Sequence, residues 1–323
     1  MHSQDVPQAV SETYFRKICP NATILKREEL ANRLEGATVL QSMNIWSEKL
    51  SSMEDRCVEI PNGTPQVFNY LVFGSKDILA LWSTLSQSPI ITQLGWSSLV
   101  YSAFRTNHHF FEHKSPKSVS ESDLKISLPP FPHIDGLLAV HLRRGDYSGH
   151  CKGLASWSSE YNGFNRFDEL PDKFQVPGGE WSEKLAIYLK HCYPTVSQVV
   201  EKVSSVREKV TGLKRLYVMT NGDREWVNEL IRELGVSKKW EAISSSLDLS
   251  LTREQRFISQ ALDMYVAQRA EAFIGNGVSV SWRFCADILL TAPSSRIVVV
   301  DGVMRLVVQY DLQHCHAENG RET

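Results

Sequence analysis

Residues 137–146 read LLAVHLRRGD, a short apolar run that ends in charged side chains. Such a run is typical of a strand buried in a parallel sheet. In open parallel sheets, ligands bind beyond the carboxyl ends of the strands. A histidine, two arginines and an aspartate follow there in this chain, so the sequence predicts a ligand site at the end of this strand.

The two arginines favour a phosphorylated ligand. A guanidinium is permanently charged and forks onto phosphate oxygens. In a transfer from a nucleotide sugar, negative charge develops on the departing diphosphate, and Arg143 would stabilise that transition state more than the ground state. His141 would donate to a phosphate or position the base. On spacing alone, a surface Arg–Asp pair after an edge strand is an equal alternative.

Beyond this strand, apolar strands alternate with amphipathic helices. The pattern predicts an α/β fold with a parallel sheet and helices on both faces. Tyr147 to Trp181 shows no period, which predicts a long irregular segment rich in aromatic residues. The predicted strands lie at 216–219, 272–275 and 297–300, and the predicted helices at 223–235, 253–269 (with Phe257 on its apolar face) and 279–291.

The N-terminal part of the chain shows weaker patterns. Residues 45–50 and 78–85 predict helical pieces, and the proline-rich and serine-rich stretch from Ser115 to Pro132 predicts a boundary. The expected organisation is an N-terminal domain over 1–130 and a C-terminal domain over 131–323, with an aromatic-rich insertion at 147–192.

Composition excludes some partners. With a formal net charge of −2 over 323 residues, the chain has no basic excess to hold a phosphate backbone, so nucleic acid is not expected as a partner. No apolar run approaches the roughly 20 residues of a membrane helix, and the first ten residues do not resemble a secretory signal. None of the six cysteines forms a CxxC pair, so no metal site is expected. A disulfide between Cys151 and Cys192 would tie down the insertion and presupposes an oxidising compartment.

A second glycine-containing segment, FIGNGVSVSW at 273–282, reads as a strand, a tight turn and a serine-capped helix. Glycines let backbone amides approach a ligand, and a helix start is an anion site. Ser279 and Ser281 add hydroxyl donors, which suits a diphosphate. Neither GxGxxG nor GxxxxGK[ST] is present, and an ordinary N-cap after a glycine turn is the equal alternative.

Asp263 precedes this segment by about the length of a helix. A carboxylate can accept from N1–H and N2–H of guanine together, so Asp263 is a candidate for base recognition. A solvated charge on a helix is the alternative interpretation of this residue.

Taken together, the two segments resemble the GDP-fucose protein O-fucosyltransferase family over roughly residues 135–300. The family pattern H-[LV]-R-R-x-D corresponds to residues 141–146, and D-x-Y-[IV] followed by A-[DE]-x-F-I-G-N-x-V-S corresponds to 263–266 and 270–279. The resemblance implies a GT-B architecture, with two Rossmann-like domains facing a cleft, and inverting, metal-independent transfer of fucose from GDP-fucose to a Ser or Thr hydroxyl of a protein. It also implies an ER or Golgi lumen.

The same resemblance implies roles for individual residues. Arg143 would contact the β-phosphate and the glycosidic oxygen, and His141 would lie beside it. Asp263 would recognise guanine. Ser279, Val280 and Ser281 would form the phosphate-binding turn, and no cofactor is expected besides the donor substrate.

This sequence departs from the family at one point. The G-x-x-N-Q loop that opens the family's N-terminal domain is not found, which predicts a truncated, acceptor-side first domain and no detectable transfer by residues 1–323 alone. Two alternatives therefore stay open: a non-catalytic GDP-sugar-binding member, and an α1,6-type glycan fucosyltransferase, since those enzymes share H-x-R-R-x-D. A Rossmann oxidoreductase is disfavoured by the missing GxGxxG.

Overall fold

A computed structural model describes residues 11–61, 74–88, 95–112, 134–161, 163–167, 174–237 and 239–276, and the backbone of two short strands at 295–298 and 307–310. The chain divides into two compact units. The first comprises Met1–Gln93 and Asn162–Phe167, and the second comprises Leu94–Tyr161 and Asp168–Thr323. The domain boundary expected at 130 stays a prediction.

The first unit contains short helices and a pair of parallel strands. Strand β1 (Thr23–Ile24) pairs with β2 (Val58–Glu59), and the Cys19–Cys57 disulfide closes the same region. The helical prediction at 45–50 is confirmed, and 78–85 is also helical, first as a 3-10 turn at Lys76–Leu81 and then as an α-helix. The helices are α1 (Glu12–Ile18), α2 (Ala31–Leu34), α3 (Val39–Ser51) and α4 (Trp82–Gln87).

The second unit is an α/β structure, as predicted from the alternating pattern. Its strands are β3 (Ile134–Leu142), β4 (Arg215–Thr220), β5 (Ala242–Ser245) and β6 (Ala270–Gly275). Its helices are α5 (Ser98–Asn107), α6 (Tyr147–Ser156), α7 (Trp181–Cys192), α8 (Val196–Lys209), α9 (Arg224–Ser237), α10 (Arg253–Arg256) and α11 (Ser259–Arg269).

The four strands form one parallel sheet in the order β5-β4-β3-β6. The chain therefore builds outward from β3 to β5 and then crosses back to place β6 on the other side of β3. This reversal of strand order lies between β3 and β6. In doubly wound sheets, such a reversal opens a crevice at the carboxyl edge.

Alternate side chains of the strands face two different layers of helices. On one face, Leu138 and Val140 of β3 and Leu216 and Val218 of β4 pack against α8 and α9. On the other face, Tyr217 packs its ring against Phe111, and α11 packs on β3. Every strand residue near the middle of the sheet is therefore buried, which is why these strands read as apolar runs.

Two helix predictions were wrong in detail. Helix α9 continues past Gly235 to Ser237. Leu230 and Leu234 pack it against the sheet, and the free energy gained by burying them exceeds the cost of about 1 kcal/mol for a glycine inside a helix. The helix predicted over 253–269 is two helices, α10 and α11. Phe257, between them, is 85% exposed, because α10 turns Gln255 inward to bond Ser102.

The segment predicted to be irregular, Tyr147 to Trp181, begins with helix α6, whereas its described residues after Ser156 contain only a short 3-10 turn at Gly163–Arg166 before α7 starts at Trp181. Helices α6 and α7 pack together around a small core that includes Tyr161, Phe174 and Tyr188. Two glycines in α6 lower its helix propensity, which hides the periodicity in the sequence. The predicted Cys151–Cys192 disulfide is confirmed and joins the two helices.

The helix predicted over 279–291 lies outside the described residues. The last predicted strand is present as β7 (Ser295–Val298), and it pairs in antiparallel fashion with β8 (Val307–Tyr310) in a separate two-stranded sheet. No helix in the described part of the chain is long and apolar enough to cross a bilayer.

Candidate functional site

Both segments predicted to bind a ligand leave the sheet at the reversal of strand order. His141, near the end of β3, pairs with Gly275, the last residue of β6. The amide of Asn276 also donates to the carbonyl of His141 at 3.3 Å. The two predicted anion-binding turns therefore start from neighbouring strands, at the place where doubly wound sheets bind their ligands.

His141 is a neutral imidazole at physiological pH. Burial, followed by the positive charge of Arg143, lowers the pKa of His141 from 6.5 to about 4. A neutral imidazole offers one donor and one acceptor. His141 can therefore donate to or accept from a ligand, but it adds no positive charge to the site.

Arg143 presents its charged group at the edge of the sheet. Its side chain is one-third exposed, and Nη2 lies 3.2 Å from the Oδ1 atom of Asp146, a carboxylate that is itself largely in solvent. The guanidinium carbon lies 5.3 Å from the ring centre of Tyr147. Among the described residues, this one hydrogen-bonding contact to an exposed carboxylate uses few of the five N–H donors of the guanidinium, so Arg143 is suited to bind an anion.

Arg144, by contrast, is fixed within the protein. Its guanidinium is sandwiched between the rings of Tyr193 and Trp226, at 3.8 and 4.0 Å, and Nη1 donates to the carbonyl of Pro194 at 2.7 Å. The groove of about 680 Å³ that Arg144 lines also contains Glu201, Glu229 and Glu233. These carboxylates disfavour a phosphate on that side, so the two adjacent arginines have different roles.

The turn that follows β3 is held by polar groups at the end of β4. The amide of Arg144 donates to Oδ1 of Asn221 at 2.7 Å, and the Thr220 hydroxyl donates to the carbonyl of Leu142 at the same distance. Gly145 has a φ of +59°, and a Cβ atom added there would lie 2.8 Å from Nδ2 of Asn221. This turn therefore requires glycine.

Asp263 lies on the same face of the sheet as His141. Tyr217 donates to its Oδ1 at 2.6 Å, and Ser246 donates to its Oδ2 at 2.9 Å. Tyr217 and Met219 share a face because they are two residues apart on β4, and Met219 is the strand partner of His141. Burial raises the pKa of Asp263 from 3.8 to about 6, while the two hydroxyl donors oppose that rise.

Asn276 begins the second turn and is completely buried. Its Nδ2 donates to the carbonyl of Cys192 at 3.0 Å. The candidate residues Ser279, Val280 and Ser281 follow after two further residues, and they lie outside the described residues. Their role as a phosphate-binding turn stays a prediction.

Two of the candidate side chains among the described residues differ in the chemical group that each could bind. Arg143 supplies the positive charge, and Asp263 supplies two carboxylate oxygens. Within the described ranges, no cluster of three or more His, Cys, Asp or Glu side chains is placed to hold a metal ion.

The residues that support the candidate side chains were not predicted from the sequence. Asn221 follows a predicted strand, so the rule that singled out the end of β3 could also have identified it. Tyr217 and Ser246 carry no local signal, because their role depends on strand order and on a helix that arrives later in the chain.

Comparisons with known proteins return only solved structures. No protein-family model matches the chain, and no curated protein matches it. The solved structures it resembles include crystal structures of POFUT1. The form described as a complex with GDP (crystal form III) has 16% identity and a TM-score of 0.46, and the match covers 80% of this chain and 59% of that one.

Two further POFUT1 structures give similar values. The apo-form in crystal form I has 16% identity and a TM-score of 0.44, with 79% of this chain and 58% of that chain covered. The complex with GDP-fucose in crystal form I has 18% identity and a TM-score of 0.41, with 76% and 53% covered. The match spans little more than half the length of these POFUT1 chains.

Replacing Gly145 by alanine should destabilise the second unit by about 1–2 kcal/mol, because alanine is strained at a positive φ and its Cβ would displace Asn221. Guanidinium unfolding followed by circular dichroism measures the change. The matched control is Gly149→Ala in helix α6, where the added Cβ meets no atom within 4 Å and alanine should stabilise by up to about 1 kcal/mol. Equal effects of the two substitutions would contradict the requirement for glycine in this turn.

Replacing Asp263 by asparagine should stabilise the fold above pH 6. Between its ordinary pKa of 3.8 and its folded pKa of about 6, Asp263 keeps a proton in the folded protein that the unfolded chain has released. Stability from this group therefore falls as pH rises through that window, by about 1–3 kcal/mol in total. Asparagine does not ionise and escapes this loss.

The measurement is the difference in unfolding free energy between Asp263→Asn and wild type from pH 4 to pH 7, which should grow with pH and level off above 6. Asp146→Asn, at an exposed carboxylate of the same edge, should not reproduce this gain. A difference that stays constant across the range would show that Asp263 is not held in its protonated form by burial.

Proposed function

We propose that this chain provides the GDP-sugar-binding part of a glycosyltransferase that moves fucose from GDP-fucose to a Ser or Thr hydroxyl of a protein. Transfer would invert the anomeric centre and require no metal. The observation that carries the proposal is the junction of β3 and β6, where the segments HLRRGD and FIGN leave the sheet side by side at its reversal of strand order.

Arg143 is the proposed partner of the diphosphate. Its guanidinium lies at the carboxyl edge with a single exposed carboxylate as its ion-pair partner among the described residues. When the bond between fucose and GDP breaks, negative charge develops on the β-phosphate. A guanidinium already in place stabilises that charge without reorganisation, which lowers the barrier of the transfer step.

Asp263 is the proposed partner of the base. Guanine offers N1–H and N2–H side by side, and a carboxylate can accept both. The hydrogen bonds from Tyr217 and Ser246 fix the orientation of this carboxylate, and each of its oxygens keeps a second lone pair for a ligand. Uracil has no such adjacent pair of donors, so Asp263 favours GDP over UDP.

His141 is the proposed neutral neighbour of Arg143. Because its pKa is about 4, it can donate one hydrogen bond to a phosphate oxygen without adding charge. In the transfer, the acceptor oxygen attacks the anomeric carbon from the face opposite the departing GDP, and its proton passes to a base directly or through one water.

The proposed location is an oxidising lumen of the secretory pathway. Two disulfides, Cys19–Cys57 and Cys151–Cys192, support it, because such bonds persist in oxidising compartments and are rare in reducing ones. The resemblance of the segment FIGNGVSVSW to the protein O-fucosyltransferase pattern favours a protein acceptor over a glycan. The match covers little more than half the length of the POFUT1 chains, so we propose the transfer activity for the whole protein.

The nucleotide preference is the direct test. Isothermal titration calorimetry with GDP and UDP should give at least tenfold tighter binding of GDP, because only guanine satisfies both oxygens of Asp263. Asp263→Asn should remove most of this preference while keeping the fold. Equal affinity of the wild-type chain for the two nucleotides would reject the proposed function.

Arg143→Ala should weaken GDP binding by about 10- to 100-fold, which corresponds to the loss of a charge-assisted hydrogen bond of about 1.5–3 kcal/mol. Arg143→Lys should not restore it, because the fork geometry is lost. The control is Arg33→Ala, at an arginine of the first unit that is half exposed and also pairs with a carboxylate, Glu48. Wild-type affinity in the lysine variant would mean that Arg143 does not bind the diphosphate as a fork.

A further inference from the structure

Three consecutive residues, the last of α7 and the two that follow it, together contact both predicted anion-binding segments. We name this segment, Cys192-Tyr193-Pro194, the strap. The carbonyl of Cys192 accepts from Nδ2 of Asn276 at 3.0 Å, and the carbonyl of Pro194 accepts from Nη1 of Arg144 at 2.7 Å. The strap therefore bridges the turn after β6 and the turn after β3 through main-chain carbonyls.

The strap is itself anchored to the first of these segments. Cys192 forms a disulfide with Cys151 of α6, and α6 begins at Tyr147, directly after the HLRRGD stretch. The ring of Tyr193 covers one face of the Arg144 guanidinium, while Trp226 of α9 covers the other. Covalent, hydrogen-bonding and stacking contacts thus converge on three residues.

We propose that the strap is a positioning device for the donor site, and that Arg144 and Asn276 act as positioning residues. Arg144, held by Tyr193 and Pro194, would orient the neighbouring Arg143 toward the β-phosphate. Asn276, held by Cys192, would set the start of the second turn. The inference rests on the proposed function, since it assigns the diphosphate to Arg143.

The physical reason is preorganisation. An arginine side chain in solution samples many rotamers, and ordering it on binding costs free energy. Because Arg144 is clamped on both faces, the backbone of the adjacent Arg143 is fixed before a ligand arrives. Asn276 is buried and joins β6 both to His141, through its amide, and to the strap, through its side chain. Arg144 and Asn276 would then be held by one rigid frame.

The chain offers a matched control for Arg144. Arg207, near the end of α8, lies 4.0 Å from the ring centre of Trp240 and donates to the carbonyl of Lys239 at 2.6 Å. Like Arg144, it stacks on a tryptophan ring and donates to a carbonyl, although on one ring rather than two, and Trp240 precedes β5 and therefore lies at the amino edge of the sheet. Removing either arginine removes a stacked guanidinium, whereas only Arg144 adjoins the proposed site.

The first measurement uses the full chain without ligand. Amide hydrogen exchange within residues 143–147 should be at least tenfold faster in Arg144→Ala than in wild type, and unchanged in Arg207→Ala, although both variants should lose melting temperature to a similar extent. Asn276→Ala provides a second variant, for which faster exchange is expected at both turns. Unchanged exchange at 143–147 in Arg144→Ala would overturn the proposal.

The second measurement compares GMP with GDP by calorimetry. The ratio of the GMP dissociation constant to the GDP dissociation constant reports the contribution of the β-phosphate. It should fall at least fivefold in Arg144→Ala and in Asn276→Ala, and stay at the wild-type value in Arg207→Ala. A purely structural role would lower the affinities for GMP and GDP together. An unchanged ratio in both Arg144→Ala and Asn276→Ala therefore overturns the inference, even if amide exchange is faster.

Failure of the proposed function can be distinguished from failure of this inference by the affinities of the wild-type chain for GDP and UDP. If the wild-type chain bound GDP no better than UDP, the proposed function would fall, and the exchange comparison between Arg144→Ala and Arg207→Ala would alone decide whether the strap orders the turn.

Discussion

The parallel pairing of β3 with β6 is the constraint on which the site depends. It closes the sheet on the side opposite β4 and β5, and it brings His141 beside Gly275, although 134 positions separate them in the chain. Without this pairing, the HLRRGD and FIGN segments would have no common edge. The helices of both faces then fix the sheet through side chains that alternate along each strand.

Burial controls the charge of this edge more strongly than ion pairing does. It shifts the pKa of His141 down to about 4 and the pKa of Asp263 up to about 6, so each group is driven toward its neutral form. The guanidinium of Arg143 is permanently charged, and its side chain is one-third exposed. The second unit therefore has a partly exposed positive charge at Arg143 and, at Asp263, a carboxylate whose ionisation is disfavoured by burial.

The parts of the fold that sequence could predict are those with local signals. Strands β3, β4 and β6 are predictable because residues buried on both faces give continuous apolar runs. The predicted start of a helix at 223 is also local in origin, since Oδ1 of Asp223 accepts from the amide of Trp226 and so caps α9. Within the aromatic segment only helix α6 was not predicted, because its two glycines obscure its period and its core forms when α7 packs against it. Helix α10 ends early because Gln255 finds a partner on α5, which no local pattern reveals.

By itself, the sequence determined the α/β character of the second unit, the candidates His141, Arg143 and Asp263, and the pairing of Cys151 with Cys192. These depend on short-range patterns: apolar runs, charges at strand ends and two cysteines that flank one segment. Only the tertiary structure decided that Arg144 is clamped while Arg143 faces the edge, and that Tyr217 and Ser246 hold Asp263. Two adjacent arginines are equivalent in a sequence. They become different because neighbouring side chains diverge after a strand, so that one meets the rings of Tyr193 and Trp226 and the other meets solvent.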